Sequence, residues 1–200
     1  MAEKRPYRLK KRAEQYEETR RRITEATMEL HRTVGPAATR ISEIARRAGV
    51  ERVTVYNHFP VESALFSACS EHWRSLHPAP DPSKWFEIED PGVRLRTGLM
   101  ELYGWYRETE SMTANVLRDA DTVPAIRSIL DAGLGGYLNA VVEILTKGFD
   151  VAEAQAERLR VAGTAAINFH LWQALSSLGD DDAAELATCL VERAASDTQL

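Results

Sequence analysis

The sequence has little of what a secreted protein or a membrane protein needs. Its only cysteines are Cys69 and Cys189, which are far apart among apolar neighbours. They are expected to be small buried hydrophobic residues rather than disulfide or metal ligands. No apolar run approaches the ~20 residues that span a bilayer, and no apolar segment follows the basic N-terminus as in a signal peptide. We therefore expect a cytoplasmic protein without a membrane partner.

The motifs of catalysis are missing as well. The sequence has no glycine-rich phosphate loop, no HExxH, no paired cysteine set and no nucleophile elbow. Its many carboxylates do not form a recognisable acid/base pair. We expect no catalytic residues, no bound metal and no cofactor, and thus a protein that is not an enzyme.

Charge is unevenly distributed along the chain. Residues 1–60 carry 14 Lys and Arg against 8 Asp and Glu, whereas residues 61–200 carry 11 against 22. The net charge of −5 therefore conceals a basic front end on an acidic body. Such a split is typical of a protein that binds a polyanion with one end, although a solvated basic tail would look the same.

Apolar residues recur with a helical period, so we predict an all-α fold. A Pro-rich and acidic stretch, residues 77–92, is the main break in this pattern. We predict a DNA-binding domain over residues 1–60 and a second helical domain over 61–200, connected by a helix over 62–77. The predicted helices cover residues 14–33, 40–47, 51–59, 62–77, 92–109, 111–120, 123–147, 151–177 and 181–195.

Residues 41–60, ISEIARRAGVERVTVYNHFP, have the pattern of a helix-turn-helix. Apolar residues at positions 44, 45, 48, 50 and 55 would pack two short helices together, and Gly49 suits the turn between them. Thr39 is the expected N-cap of the first of these helices. The outward face of the second helix would carry side chains that contact phosphates or base edges: Arg52, Val53, Thr54, Tyr56, Asn57 and His58.

This stretch resembles the TetR family of bacterial regulators, whose common form is AGV-S-x-x-T-(L/I)-Y-x-(H/Y)-F-x-x-K. The matching positions hold Ala48-Gly49-Val50, Thr54, Tyr56, His58 and Phe59. The resemblance implies that Arg52 and Val53 read bases, and that the four polar residues after them usually hold phosphates and sometimes contact bases. Tyr56 could also pack its ring in the core, and His58 could equally cap its own helix. Thr39 and Ser42, the latter where the family often has a longer residue, complete the DNA-binding candidates.

One position departs from the family pattern. Glu62 stands where a lysine commonly binds phosphate, which removes an attraction and adds a repulsion. A basic N-terminal arm could compensate by following the DNA backbone or the minor groove. The arm consists of Lys4, Arg5, Arg8, Lys10, Lys11 and Arg12.

The resemblance also implies a helical C-terminal domain that holds a small-molecule effector and dimerises through its last two long helices. Residues 151–177 and 181–195 fit this role, because the first segment is apolar over much of its circumference. An intrachain core would give the same periodicity. We therefore expect a homodimer that binds a double-stranded palindromic operator, with repression as the family default.

An aromatic and methionine-rich set suits a largely apolar effector. Side chains of this kind at helical spacing are also typical of an ordinary core. The candidates are Met100, Tyr103, Trp105, Tyr106, Met112, Asn115, His170 and Trp172. A helical interaction protein whose helix-turn-helix has lost DNA binding is the alternative function, and the salt dependence of duplex binding would distinguish the two.

Overall fold

The computed structural model describes residues 4–196, apart from the side chains of residues 4–8 and of Ala154. Within these residues it contains helices and no strand, which confirms the all-α prediction. It also contains a π-helical turn, Asp131–Gly135, and a 3₁₀ turn, Ser176–Leu178. The α-helices are α1 (Lys4–Thr33), α2 (Ile41–Ala48), α3 (Arg52–His58), α4 (Glu62–Leu76), α5 (Ser83–Phe86), α6 (Pro91–Asp119), α7 (Pro124–Leu130), α8 (Gly136–Thr146), α9 (Glu153–Ala166), α10 (Phe169–Leu175) and α11 (Asp180–Ala195).

The chain forms two compact units. The first comprises the residues up to Leu76 together with Ser111–Leu130, and the second comprises His77–Glu110 and the residues from Asp131 on. By these contacts, α4 belongs to the first unit. The division at residue 60 into a DNA-binding domain and a second domain stays a prediction.

The core of the first unit forms where α1 packs on α2 and α4. Its buried residues come from four helices and the residue after α3: Ile23, Ala26 and Leu30 of α1, Ile44, Ala45 and Ala48 of α2, Val55 of α3, Phe59, and Leu65 of α4. A second cluster joins α4 to the segment after α6 through Phe66, Ala120 and Ile126. These contacts fix α2 and α3, which carry the helix-turn-helix.

The core of the second unit forms around the N-terminal two thirds of α6. Leu95, Leu99 and Leu102 of this helix are fully buried. Gly98 lets Trp85 of α5 and Leu145 of α8 approach closely, since a Cβ at this glycine would collide with the leucine. On the other side of the unit, α9 packs against α11.

Two helices are longer than the apolar pattern predicted. α1 begins at Lys4 rather than at residue 14, and α6 continues through residue 110, where we predicted a break. In α6 the predicted break falls at the exposed Glu110, between the buried Thr109 and Met112. In α1 the missed part lacks a regular apolar stripe, because its described side chains are exposed. Residues 9–18 of α1, for example, are all exposed.

The predicted helix over 151–177 is wrong, because the chain breaks between α9 and α10 at residues 167–168. Asn168 caps α10 by accepting a hydrogen bond from the backbone N–H of His170 at 2.8 Å. The carbonyls that the break frees at Ala166 and Ile167 each accept a tyrosine hydroxyl at 2.7 Å. Buried tyrosines from α6 thus replace the helical hydrogen bonds that the break removes.

One stretch contradicts the expectation that no apolar run is long enough to span a membrane. Pro124–Thr146 has a mean hydropathy of 1.2 in its most apolar window, and by length and composition alone it could cross a bilayer. Asp131 and the surrounding glycines obscured this stretch in the sequence. A single stretch of this kind is weak support for a membrane span, and 17% of the window is buried.

Candidate nucleic-acid interface

The helix-turn-helix is built from α2 and α3, which pack through a small apolar contact. Ala45 and Ala48 are buried on α2, and Val55 is fully buried on α3. Alanine side chains allow two helices to cross closely, so a pair of only eight and seven residues can be held rigidly.

Backbone geometry and one arginine fix the turn between the two helices. Gly49 has φ of +65°, a left-handed conformation that glycine adopts without strain. The N–H of Val50 then donates to the carbonyl of Ala45 at 3.0 Å. From α1, Arg22 donates to the carbonyl of Ala48 at 2.9 Å, which satisfies the C-terminal end of α2.

The outward face of α3 holds the predicted base-reading residues. Arg52 and Asn57 are exposed, and Val53 and Tyr56 retain 57% and 48% of their accessible surface. Thr54 is half-buried between this face and the core. The four exposed side chains of this short helix present a donor fork, an apolar group, a phenol and an amide to any surface that the helix contacts.

Unlike these residues, His58 does not lie on the exposed face of α3. Its side chain is buried, and its ring lies 4.1 Å from the ring of Tyr16 on α1. Burial lowers the pKa of His58, and the nearby Arg20 guanidinium lowers it further. Arg20 also donates to the His58 carbonyl at 2.9 Å and stacks on the ring of Phe59. His58 therefore anchors the end of α3 to α1, with Nδ1 unpartnered among the described residues.

At the start of α2, the predicted N-cap is wrong by one residue. The N-cap is Arg40, whose side chain makes no capping hydrogen bond. The hydroxyl of Thr39 instead donates to the carbonyl of Gly35 at 2.8 Å. Ser42 is exposed in the first turn of α2. Arg40 is also exposed, and sequence reasoning missed it as a DNA-binding candidate although a cation directly before a helix-turn-helix was a visible signal.

Many arginines of residues 1–60 already bind carbonyls or carboxylates of the same region. Arg20 and Arg22 donate to the carbonyl ends of α3 and α2. Four others are held by carboxylates: Arg21 by Glu18 and Glu25, Arg32 by Glu29, and Arg46 and Arg47 by Glu43. Hydrogen bonds from Arg46 and then Arg47 lower the pKa of Glu43 to about 2. Within the described residues, Arg40 and Arg52 make no ion pair, so they remain available to a polyanion.

The sequence of this unit matches a known family. Residues 23–69 match the family model described as bacterial regulatory proteins, tetR family. Over this segment the chain has the sequence pattern of the TetR family. The matched region extends from the first buried residue of α1 to the middle of α4, so it contains the complete helix-turn-helix. Members of the family are DNA-binding transcriptional regulators.

Solved structures of TetR-family proteins share the fold of most of this chain. A TetR-family regulator from Mesorhizobium loti has a TM-score of 0.58 and 18% identity, over 90% of this chain and 96% of that one. One from Streptomyces coelicolor has a TM-score of 0.54 and 23% identity, over 89% and 79%. RolR, solved in complex with resorcinol, has a TM-score of 0.51 and 20% identity, over 93% and 97%. A comparison with curated protein sequences finds no significant match.

Four of the predicted effector residues lie in one aromatic cluster of the second unit. The ring of Tyr106 is 5.4 Å from that of Trp105, 5.8 Å from that of Trp172 and 6.4 Å from that of Tyr103. The sequence reasoning missed two members, Phe169 against Tyr106 and Tyr137 against Trp105.

The polar atoms of this cluster bind the protein itself. The Tyr103 and Tyr106 hydroxyls donate to the end of α9, and Trp105 Nε1 donates to the His77 carbonyl at 3.2 Å. Burial raises the pKa of Tyr103 and of Tyr106 above the usual phenol range. These phenols are neutral hydrogen-bond donors that hold helices in place.

The structure does not bring the other four effector candidates together. Met112 and Asn115 belong to the first unit, where the methionine is buried and the amide binds carbonyls of α1. Met100 and His170, in the second unit, are exposed. A cavity of about 860 Å³ lies between the loop at 149–152 and the end of α11, and none of the eight predicted residues lines it.

The last turns of α6 bind the turn that precedes α2, a contact that the sequence did not reveal. Asn115 donates to the carbonyls of His31 and Arg32 at 3.1 and 2.8 Å, and Arg118 donates to that of Val34 at 3.2 Å. Asp119, which is buried, accepts the N–H of Ala37 at 2.9 Å. The cap of α1 and the entry to the helix-turn-helix are thus both fixed by α6.

Proposed function

We propose that this chain is a ligand-responsive repressor that binds a palindromic operator as a homodimer in the cytoplasm. The observation that carries the proposal is the exposed face of α3. Arg52, Val53, Tyr56 and Asn57 project from a helix whose opposite side is locked into the core. Arginine in this position can donate two hydrogen bonds to guanine, and valine can contact a thymine methyl group.

An exposed apolar surface on α9 and α11 supports dimerisation through the predicted segments 151–177 and 181–195. Val161 of α9 is 54% exposed, and Leu186 and Leu190 of α11 are 42% and 53% exposed. The two helices pack on each other, so these side chains belong to one helix pair. Two such pairs related by a twofold axis would form a four-helix bundle and remove the leucines from water.

A dimer explains why a palindrome is the expected operator. Two copies of α3 about 34–36 Å apart would enter successive major grooves on one side of the duplex. An effector that changes this spacing by a few ångströms would weaken binding. α6 is one continuous helix that contributes residues to both units, so it is a direct covalent route for such a change.

A small, largely apolar molecule is the effector that we propose, because an aromatic site offers many ring faces and few polar groups. Since Tyr103, Tyr106 and Trp172 are fully buried, such a molecule would have to open the aromatic cluster or bind at its edge. RolR was solved with resorcinol, an aromatic ligand of this kind. A panel of small phenols that includes resorcinol is therefore the first probe. We expect at least one of them to weaken operator binding, and unchanged affinity across the panel would argue against a phenolic effector.

Selection of bound duplexes from a random pool tests DNA reading and dimerisation together. We expect a palindrome whose half-site centres are one helical turn apart. Arg52→Ala should cost about 1–3 kcal/mol and relax the preference at one base pair of each half-site. Lys84→Ala, which removes an exposed charge from the second unit, is the control. No retained duplex at ~50 mM salt would favour the interaction protein instead.

A further inference from the structure

The N-terminal half of α1 is a helix that the protein core does not require. α1 begins at Lys4, but its first fully buried side chain is Ile23. All residues from 9 to 18 are exposed. We call residues 4–16 the α1 extension. The twelve steps of about 1.5 Å between its thirteen residues make it about 18 Å long, which is the rise of about five base pairs.

The cations of the extension have fewer partners within the protein than the arginines that follow them in α1. From residue 20 on, the arginines of α1 bind carboxylates or helix ends. In the extension, Lys10 lies 4.0 Å from Glu14 in a highly exposed pair. Lys11 and Arg12 are exposed and make no ion pair among the described residues. The extension also includes Lys4, Arg5 and Arg8, whose side chains lie outside the described part of the structure.

Helix stability does not account for this charge. The first turn of α1 contains no acidic residue, and Lys4 and Arg5 occupy it at the positive end of the helix dipole, where a cation disfavours the helix. A polyanion that binds the extension would reverse this effect.

The position of the extension is fixed relative to α3. Tyr16 ends the extension, and its ring lies 4.1 Å from the ring of His58, the last residue of α3. One turn later, Arg20 donates to the His58 carbonyl. The C-terminal end of the extension therefore lies beside the C-terminal end of α3, the helix that carries Arg52 and Val53.

We propose that the α1 extension is a rigid helical strut that binds the phosphate backbone of the DNA that α3 reads. The inference rests on the proposed DNA-binding function. It differs from a flexible basic arm, because the helix and the Tyr16–His58 contact set the direction of the cations. Lys11 and Arg12 hold phosphates beside the half-site, which offsets the phosphate-binding lysine that Glu62 replaces.

Salt-dependent binding to a mixed-sequence 30-base-pair duplex, measured by fluorescence anisotropy, tests the strut without knowledge of the operator. Lys11→Ala/Arg12→Ala should make the negative slope of log K against log salt shallower by about 1.8 per bound protomer, since each phosphate contact contributes about 0.9. Lys84→Ala/Lys147→Ala removes the same charge from exposed positions in the second unit and should leave the slope unchanged.

A second pair of variants tests rigidity. Ala13→Pro keeps every charge but breaks the helix between the cations and Tyr16, whereas the control Ala13→Ser keeps the helix. Both changes are at an exposed position, and thermal unfolding will verify that the core is intact. We expect Ala13→Pro to reduce the slope as the double alanine variant does.

The outcomes separate the possibilities. A loss in the double alanine variant alone would show a flexible arm and overturn the strut. No loss in either variant would overturn any DNA contact by the extension. If the unmodified protein fails to bind the duplex, it is the proposed DNA-binding function that fails.

Discussion

His31 and Cys69 form a buried contact in the first unit. His31 of α1 is 2% exposed, with Nδ1 3.6 Å from the Cys69 sulfur and Nε2 unpartnered among the described residues. Burial raises the pKa of the Cys69 thiol to about 12, so the thiol stays protonated. Cys69 is therefore the small buried residue that the sequence predicted, while Cys189 is exposed, contrary to expectation.

His31 should make the protein sensitive to mild acid. Burial lowers its pKa to about 4 from an ordinary value of 6.5, with Asp119 opposing the shift. Between pH 6.5 and 4 the unfolded chain thus binds a proton that the folded chain does not, and stability is lost as the pH falls. The loss from this residue at pH 4.5 should be roughly 2–3 kcal/mol.

Urea unfolding at pH 7.5, 6.0 and 4.5 measures this effect when the protein is compared with His31→Gln. The glutamine variant lacks the titration, so its unfolding free energy should depend less steeply on pH. His58 also has a lowered pKa, but it is present in both proteins and cancels. Parallel pH dependences for the two proteins would show that His31 does not contribute.

Gly35 should not tolerate a side chain. Its φ is +91°, and a Cβ there would collide with Arg118 and Asp119 at the end of α6. Gly35→Ala should destabilise the first unit by at least ~1 kcal/mol, because it combines backbone strain with a steric clash. Gly104→Ala is the control, since its Cβ would meet open space within a helix, where alanine is favoured by ~0.5–1 kcal/mol. Thermal unfolding of both variants gives the signs, and equal shifts would refute the argument.

At the scale of elements, apolar periodicity predicted the buried part of each helix and missed the rest. The region 14–33 was found because Ile23 and Leu30 lie in the core, whereas the α1 extension has no core-facing stripe. The break between α9 and α10 was missed for a different reason. It depends on hydroxyl groups of Tyr103 and Tyr106, which are more than 60 residues away in the sequence.

These two hydroxyls should matter for stability. Tyr103→Phe and Tyr106→Phe each keep the ring but leave a buried carbonyl of the α9–α10 break without its donor. Each change should cost about 1–3 kcal/mol of unfolding free energy, as expected for a buried unsatisfied acceptor. Tyr56→Phe, on the exposed face of α3, should change stability by less than ~0.5 kcal/mol. Urea denaturation measures all three, and losses no larger than that of Tyr56→Phe would mean that water replaces the hydroxyls.

At the scale of the whole molecule, the sequence predicted the fold class and the recognition helix because both depend on local patterns. Arg52 and Val53 were placed correctly on the outward face of α3, since a seven-residue helix with one buried valine leaves little choice. The roles of Arg20 and Arg22 could not be predicted, because the carbonyls that they bind are 38 and 26 residues away. For the same reason, the charge of residues 1–60 overestimated the number of cations available to DNA.

The proposed dimerisation is the property of the whole molecule on which the proposed palindrome reading depends. Leu186→Glu/Leu190→Glu changes two exposed side chains, so the isolated protomer should still fold. In a dimer the same carboxylates would be buried without partners, and we expect the dissociation constant to rise at least ~100-fold, or about 2.7 kcal/mol. Val93→Glu/Met100→Glu, which alters two exposed apolar residues of α6, is the matched control.

Analytical ultracentrifugation at micromolar concentration should show a dimer for the unmodified protein and for the control, and a monomer for the Leu186/Leu190 variant. The monomer should also lose preference for a palindrome over a single half-site, because only one α3 enters the duplex. If the leucine variant sediments as a dimer, the interface lies elsewhere than on the exposed leucines of α11. If it is monomeric yet still prefers the palindrome, dimerisation is not what couples the two half-sites.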